Sequence, residues 1–434
     1  MKKKYIIFSI VTLVLLVSFL SYSKYLKTTN VCKEDVKPTK IPKGISMNLE
    51  QTAGAGDYKT VTQSSWPTEG YKFNAELSRC ENGSTLSWDD TKKAVIMQGN
   101  VSDKCYVYFD IYVPPRFDET CDTSTLACYI AKQYTGTQGD NSLYYHDSNL
   151  TNGAGDNSYR YAGANPNNFV CFGSDTSPCP TDNLYRIIGV FGENYHRVTG
   201  KQLVKLIKYD YMTTDELGTD GEYSQTYKEW GMDSTYKGTY GDGERIGVYY
   251  WNYKATGSKT NTWSTSLLNK TNLNTNFINN IGTTWANKIA TVTWKVGGNT
   301  YANISDVVPA TTYQNEIVNP VTTNTTDNAT TYSAKIGLMY VSDYGFAASP
   351  DAWTLTMSSY NNTTAKNNNW MYMGLYEWTI SRNAGNSGSA FGVNCDGGVN
   401  GVFNSGGVRA SFSLESSVSY VSGSGSMSDP IVIN

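Results

Sequence analysis

Six of the eight cysteines in this 434-residue chain fall into three close pairs, and that spacing limits the fold more than any other feature. The pairs are Cys80 with Cys105, Cys121 with Cys128, and Cys171 with Cys179, each separated by turn-rich sequence. Eight cysteines allow about a hundred full pairings, so proximity carries this expectation, not the count. A bond between Cys80 and Cys105 closes a loop worth on the order of 3 kcal/mol in chain-entropy terms. Cys32 and Cys395 are left over. No Cys-x-x-Cys exists and the only histidines are His146 and His196, so the cysteines do not read as a metal site. Paired cysteines belong in an oxidising compartment.

The N-terminus points the same way. Lys2, Lys3 and Lys4 precede an uncharged, mainly apolar run from Tyr5 to Tyr22, closed by Lys24 and Lys27. As a helix this run spans about 27 Å, close to a hydrocarbon core. The reading is a single-pass membrane anchor over 1–24, with a cytoplasmic N-terminus and the bulk of the chain extracytoplasmic. The rival is a cleaved signal that leaves a secreted protein, although no Ala-x-Ala site follows. Residues 25–43, lysine-rich and broken by Pro38 and Pro42, read as a stalk.

Beyond the stalk the texture is that of strands and turns. Charged residues make up only 17% of the chain and aromatics 13%, with 39 Gly. A net charge of −3 without a long basic run sets nucleic acid aside as a partner. Residues 44–115 carry short β-type stretches, with alternation over Tyr106 to Val113, and read as a small β-sandwich stapled by Cys80–Cys105. Residues 116–139 are a connector with one helix from Ser124 to Gln133. Residues 140–434 are a larger domain. It holds strands from Tyr185 to Phe191 and Leu203 to Lys208, then helical spacing from Leu267 to Ile289. The Thr/Asn-rich stretch 311–333 reads as a surface loop, and further strands follow to the C-terminus.

Short motifs recur in order across this larger domain: Arg160-Tyr161, Asn165-Pro166-Asn167-Asn168, Leu184 to Phe191, Trp263 to Leu267, Lys335 to Met339, Trp378 to Arg382, and Gly407-Val408-Arg409. In that order they resemble an uncharacterised bacterial extracytoplasmic domain family. That family is similar to the C-type-lectin-like fold of formylglycine-generating enzymes and of retroelement variable proteins. The resemblance implies an overall fold of N-terminal transmembrane helix, small all-β sandwich-like domain and α+β C-type-lectin-like domain. It also implies ligand-facing loops after Trp378. Tyr372, Tyr376, Trp378, Arg382, Asn383, Asn394 and Asp396 are the resulting ligand-binding candidates, since aromatic faces beside amides and a guanidinium suit glycans or peptides. The redox cysteine pair of the enzyme branch is not matched, because only Cys395 falls in that region. Calcium-lectin signatures are missing too.

Catalytic, metal and cofactor motifs are likewise missing. His146 and His196 read as structural, Arg409 reads as half of a structural ion pair, and no phosphate-binding glycine loop occurs. The expected function is non-catalytic binding of a glycan, peptide or protein ligand by a membrane-anchored bacterial cell-surface protein. An exported enzyme acting on envelope polymers and a ligand-free structural envelope component are the alternatives.

Overall fold

The computed structural model describes residues 44–434 apart from 64, 68, 101, 228–235, 241–244, 256, 258, 301–303, 305, 322–329 and 403. The chain divides into two compact units at Pro115–Arg116.

In the smaller unit a buried Val107 and Phe109 alternate with half-exposed neighbours, so Cys105–Ile111 offers one face to a core. It lies inside a four-stranded sheet, paired in parallel with Ile45–Glu50 and antiparallel with Tyr71–Cys80. Tyr58–Val61 completes the sheet, and Thr85–Asp89 forms a separate hairpin with Ala94–Gln98. Met47, Leu49, Trp66, Ala94, Val107 and Phe109 make the core. One mixed sheet and a hairpin thus replace the expected sandwich. Cys80 and Cys105 sit directly opposite in the ladder and are joined. Non-reducing peptide mapping is expected to recover them linked, and removing both to cost about 3 kcal/mol. Free thiols at both positions would contradict the assignment.

The larger unit begins at Arg116 and includes the segment expected to be a connector. Its helix, Leu126–Ala131, places Leu126, Ala127 and Ile130 in the main core. Thr125 caps the helix by accepting from the Cys128 N–H, and Cys121 is bonded to Cys128. Cys171 is bonded to Cys179. Two sheets dominate. The first runs Ile336–Gly337, Ser411–Ser413, Leu203–Lys208, Leu184–Phe191, Ser158–Tyr161, Leu143–His146, with Phe169–Cys171 also pairing Leu184–Phe191. All of its pairs are antiparallel. Its central strand Leu184–Phe191 is buried on both faces, which explains a nearly continuous apolar run. The second sheet runs Tyr223–Thr226, Gly247–Tyr250, Ser405–Gly407, Glu377–Arg382, Ala390–Val393, Val399–Val402.

Helices are few and short. The helical spacing after Leu267 becomes Leu268–Phe277, wound wide, and Ile278–Ala286. The stretch 311–333 is not a surface loop throughout. Helical turns at Pro309–Tyr313 and Gln314–Val318 bury Tyr313, Glu316 and Ile317, and Thr331–Ala334 is a strand. The described residues are therefore mostly β-sheet, and no helix among them is long and apolar enough to cross a membrane. The β-rich larger unit with its few short helices corrects the expected α+β lectin-like domain, as the mixed sheet and hairpin correct the expected sandwich. The segment expected to be the anchor, the stalk and Cys32 lie outside the described residues.

Candidate functional site

The residues expected to face a ligand mostly face the core instead. Trp378 and Arg382 are 2% and 1% exposed, because their strand lies inside the second sheet. The Trp378 indole N–H donates to the Tyr249 carbonyl at 2.7 Å, and Arg382 Nε to the Val296 carbonyl at 3.0 Å. Buried Asn383 closes a turn by accepting from the Gly385 N–H. Tyr372 is buried and donates its hydroxyl to the Cys395 carbonyl at 2.5 Å. Cys395 itself is the one free cysteine among the described residues. Only Tyr376 and Asp396 are exposed, with Asn394 half-buried, and these three do not gather into one cavity. Arg409 pairs with Glu377 at 2.8 Å, both buried, as a structural ion pair should.

Groups that could do acid–base chemistry are walled in. His146 accepts from the Ala154 N–H through Nδ1 at 3.0 Å, and His196 Nε2 lies 3.0 Å from the Phe191 carbonyl. Buried Glu316 accepts from the backbone N–H groups of Val341 and Ser342 at 3.1 and 2.9 Å, and from the Ser381 hydroxyl. It thereby caps the helix Val341–Ala347. Cys80, Asp103 and Cys105 come together in the smaller unit, but both sulfurs are spent in the disulfide.

These enclosed groups give the fold a pH signature. Burial, with Asp343 adding to it, pushes the Glu316 carboxyl up to about 7, while burial and the Arg160 charge pull His146 down to about 3. Glu316 therefore favours the fold fully below its unfolded value near 4.5 and loses that contribution as pH rises through 7. His146 acts oppositely: its contribution is complete above 6.5 and fades as pH falls toward 3. The two slopes oppose each other between 4.5 and 6.5. The stability of Glu316→Gln relative to the parent is expected to rise by about 1 kcal/mol per pH unit over pH 4.5–7. Urea midpoints across that range test this, and a constant offset would contradict it.

The accessible site lies elsewhere, at one end of the first sheet. Arg186 belongs to the central strand and pairs in register with Phe169. Its guanidinium lies 4.2 Å from the Phe169 ring and 4.7 Å from the Trp370 ring, an aromatic sandwich. Nε donates to Asn168 Oδ1 at 2.7 Å and one Nη to the Pro166 carbonyl at 3.0 Å. Asn168 is itself fixed by donating to the Ile187 carbonyl at 2.8 Å. Trp370 is pinned by its indole bond to the Tyr161 carbonyl at 2.8 Å. The other Nη has no hydrogen bond to a described residue.

A cavity of about 600 Å³ opens onto this guanidinium. Tyr209, Met373 and Trp370 supply apolar walls, and Lys237 stands at its rim. The described lining includes Arg186 and Lys237 but no carboxylate. Burial and then the Arg409 charge draw Arg186 down to about 9, still protonated at neutral pH. Desolvation, with Lys366 and Arg186 nearby, likewise holds Lys237 below the usual lysine value. Two cations lining one cavity, with no carboxylate in its described lining, are arranged to receive an anion. Sequence reasoning passed over Arg186 and Lys237. The one available signal was an arginine inside an otherwise apolar strand.

No family model, no curated protein and no solved structure matches this chain. The resemblance to the lectin-like family rests on the short motifs alone. Four of their residues, Arg160, Trp263, Trp378 and Arg409, are buried framework.

Proposed function

We propose that this is an exported, non-catalytic binding protein whose larger unit receives an anionic ligand in the cavity around Arg186. The observation that carries this reading is a buried arginine, stacked between Phe169 and Trp370, that opens onto a large cavity with no carboxylate among its described lining residues. A cavity of this size is within the usual range for small-ligand sites. Burial of a charge is costly unless it is paired, so an incoming carboxylate or sulfate recovers energy the free protein leaves unused. The aromatic walls add flat apolar area for the uncharged part of the ligand. The enclosure of His146, His196 and Glu316 supports binding over catalysis. Three disulfides support an oxidising, extracytoplasmic location.

The test is an array of carboxylated, sulfated and neutral glycans and of acidic and neutral peptides, probed with the full chain at low and high salt. Acidic ligands are expected to bind, more weakly as salt rises, and Arg186→Met to weaken that binding about a hundredfold. Binding confined to neutral ligands, or indifferent to Arg186→Met, would refute the reading.

A further inference from the structure

A second, smaller cavity of about 160 Å³ adjoins the first, and Asn165 and Asn167 line both. Their side-chain amides have no hydrogen-bond partner among the described residues, and both are exposed. The ridge they form is held in place from below. Asn168 N–H donates to the Pro166 carbonyl at 3.0 Å, and Phe169 N–H donates to the Gly425 carbonyl at 2.8 Å. A side chain at Gly425, where φ is +80°, would place its Cβ 2.4 Å from the Asn167 carbonyl, so only glycine allows this approach. The two cavities differ in chemistry. The first holds both cations and most of the aromatic wall, whereas the second carries no charged residue. Gln133, Asn141, Ser142 and Ser424 line it with amides and hydroxyls.

We propose that the ligand is an acidic oligosaccharide lying across both cavities, its carboxylated or sulfated unit against Arg186 and Lys237 and a neutral unit in the second cavity. This rests on the anion-binding reading above and extends it to a ligand class. At about 160 Å³ the second cavity is well below the size of a whole small-ligand site, which suits one unit of a longer ligand. Gln133, Asn141 and Ser424 each donate within the protein, to the carbonyls of Tyr129, Gln133 and Asp429, which fixes their orientation. The amide oxygens of Gln133 and Asn141 and the Ser142 hydroxyl remain to meet ring hydroxyls. A peptide would instead call for apolar side-chain pockets or a free strand edge, and the second cavity offers little apolar surface beyond its tyrosines and Ile431. The exposed amides of Asn165 and Asn167, which line both cavities, would meet the junction between consecutive units of such a chain.

Calorimetry with the full chain tests this, using acidic tetrasaccharides from galacturonan, hyaluronan and heparan sulfate, their acidic monosaccharides, and tetraglutamate. At least one tetrasaccharide is expected to bind about tenfold or more tightly than its own monosaccharide. Ser424→Trp, which fills the second cavity from an exposed position, is expected to bring that ratio below about threefold. Arg186→Met is expected to weaken binding of both about a hundredfold. A ratio near one, a ratio unmoved by Ser424→Trp, or preference for tetraglutamate would overturn the oligosaccharide assignment while leaving the anion site intact. If no acidic probe binds at all, the anion-binding reading fails together with this one.

Discussion

Asp343→Ala is expected to destabilise the larger unit by roughly 3–5 kcal/mol, a large share of a typical domain's stability. Asp343 lies in the helix Val341–Ala347 and is fully enclosed, as is Lys205 in the strand Leu203–Lys208. Their charged atoms are 2.6 Å apart. The same carboxylate accepts from the Tyr195 hydroxyl at 2.7 Å and from the Tyr340 N–H at 2.9 Å, and lies 3.7 Å from Arg160. Removing it strands an ammonium among the rings of Tyr195, Trp294 and Tyr340, where burial already holds the lysine below its usual value. The cost comes from the unpaired cation, and the partner substitution should relieve it. Lys205→Met combined with Asp343→Ala is expected to recover about 2 kcal/mol relative to the sum of the two single changes. Denaturant midpoints for the four proteins decide it; simple additivity would show that the pair is not the source of the loss.

The second large effect is on binding. Arg186→Met is expected to weaken binding of an acidic ligand roughly a hundredfold or more, about 3 kcal/mol, as befits a charge-assisted contact in a desolvated site. Methionine keeps most of the arginine's length and a sulfur that packs well between Phe169 and Trp370, so the fold should remain. Stability is expected to change little, because removing a buried cation offsets the loss of its hydrogen bonds to Asn168 and the Pro166 carbonyl. A variant that binds as tightly as the parent would remove Arg186 from the site. A variant that unfolds would show that the guanidinium's bonds to Asn168 and Pro166 are structural first.

What could be read from the sequence was local. Cys80 and Cys105 flank strands whose alternation is visible in the chain, and the two residues meet directly opposite each other. Leu184–Phe191 and Leu203–Lys208 are apolar runs close in sequence, and they pair. What stayed hidden depended on long-range neighbours. Lys205 and Asp343 are separated by 138 residues, and nothing in either segment announces the other. Trp378 and Arg382 looked like ligand contacts because aromatic and guanidinium groups often are. Carbonyls of Tyr249 and Val296 satisfy their donors inside the core instead. The helical turns at 309–318 were masked by threonine and asparagine, although Pro309 at the helix start and Tyr313 with Ile317 four residues on carried the signal. Arg186 was visible as a cation in an apolar strand. Its meaning needed Trp370, brought to it from 184 positions away.

The most direct measurement compares an acidic oligosaccharide with its carboxyl-reduced counterpart, titrated by calorimetry into the parent and into Arg186→Met. Reduction removes the charge and leaves the ring and linkages in place. The parent is expected to prefer the acidic form by about a hundredfold and Arg186→Met to show almost no preference, which assigns the discrimination to that one guanidinium. Equal affinity of the parent for both forms would contradict an anion site at Arg186.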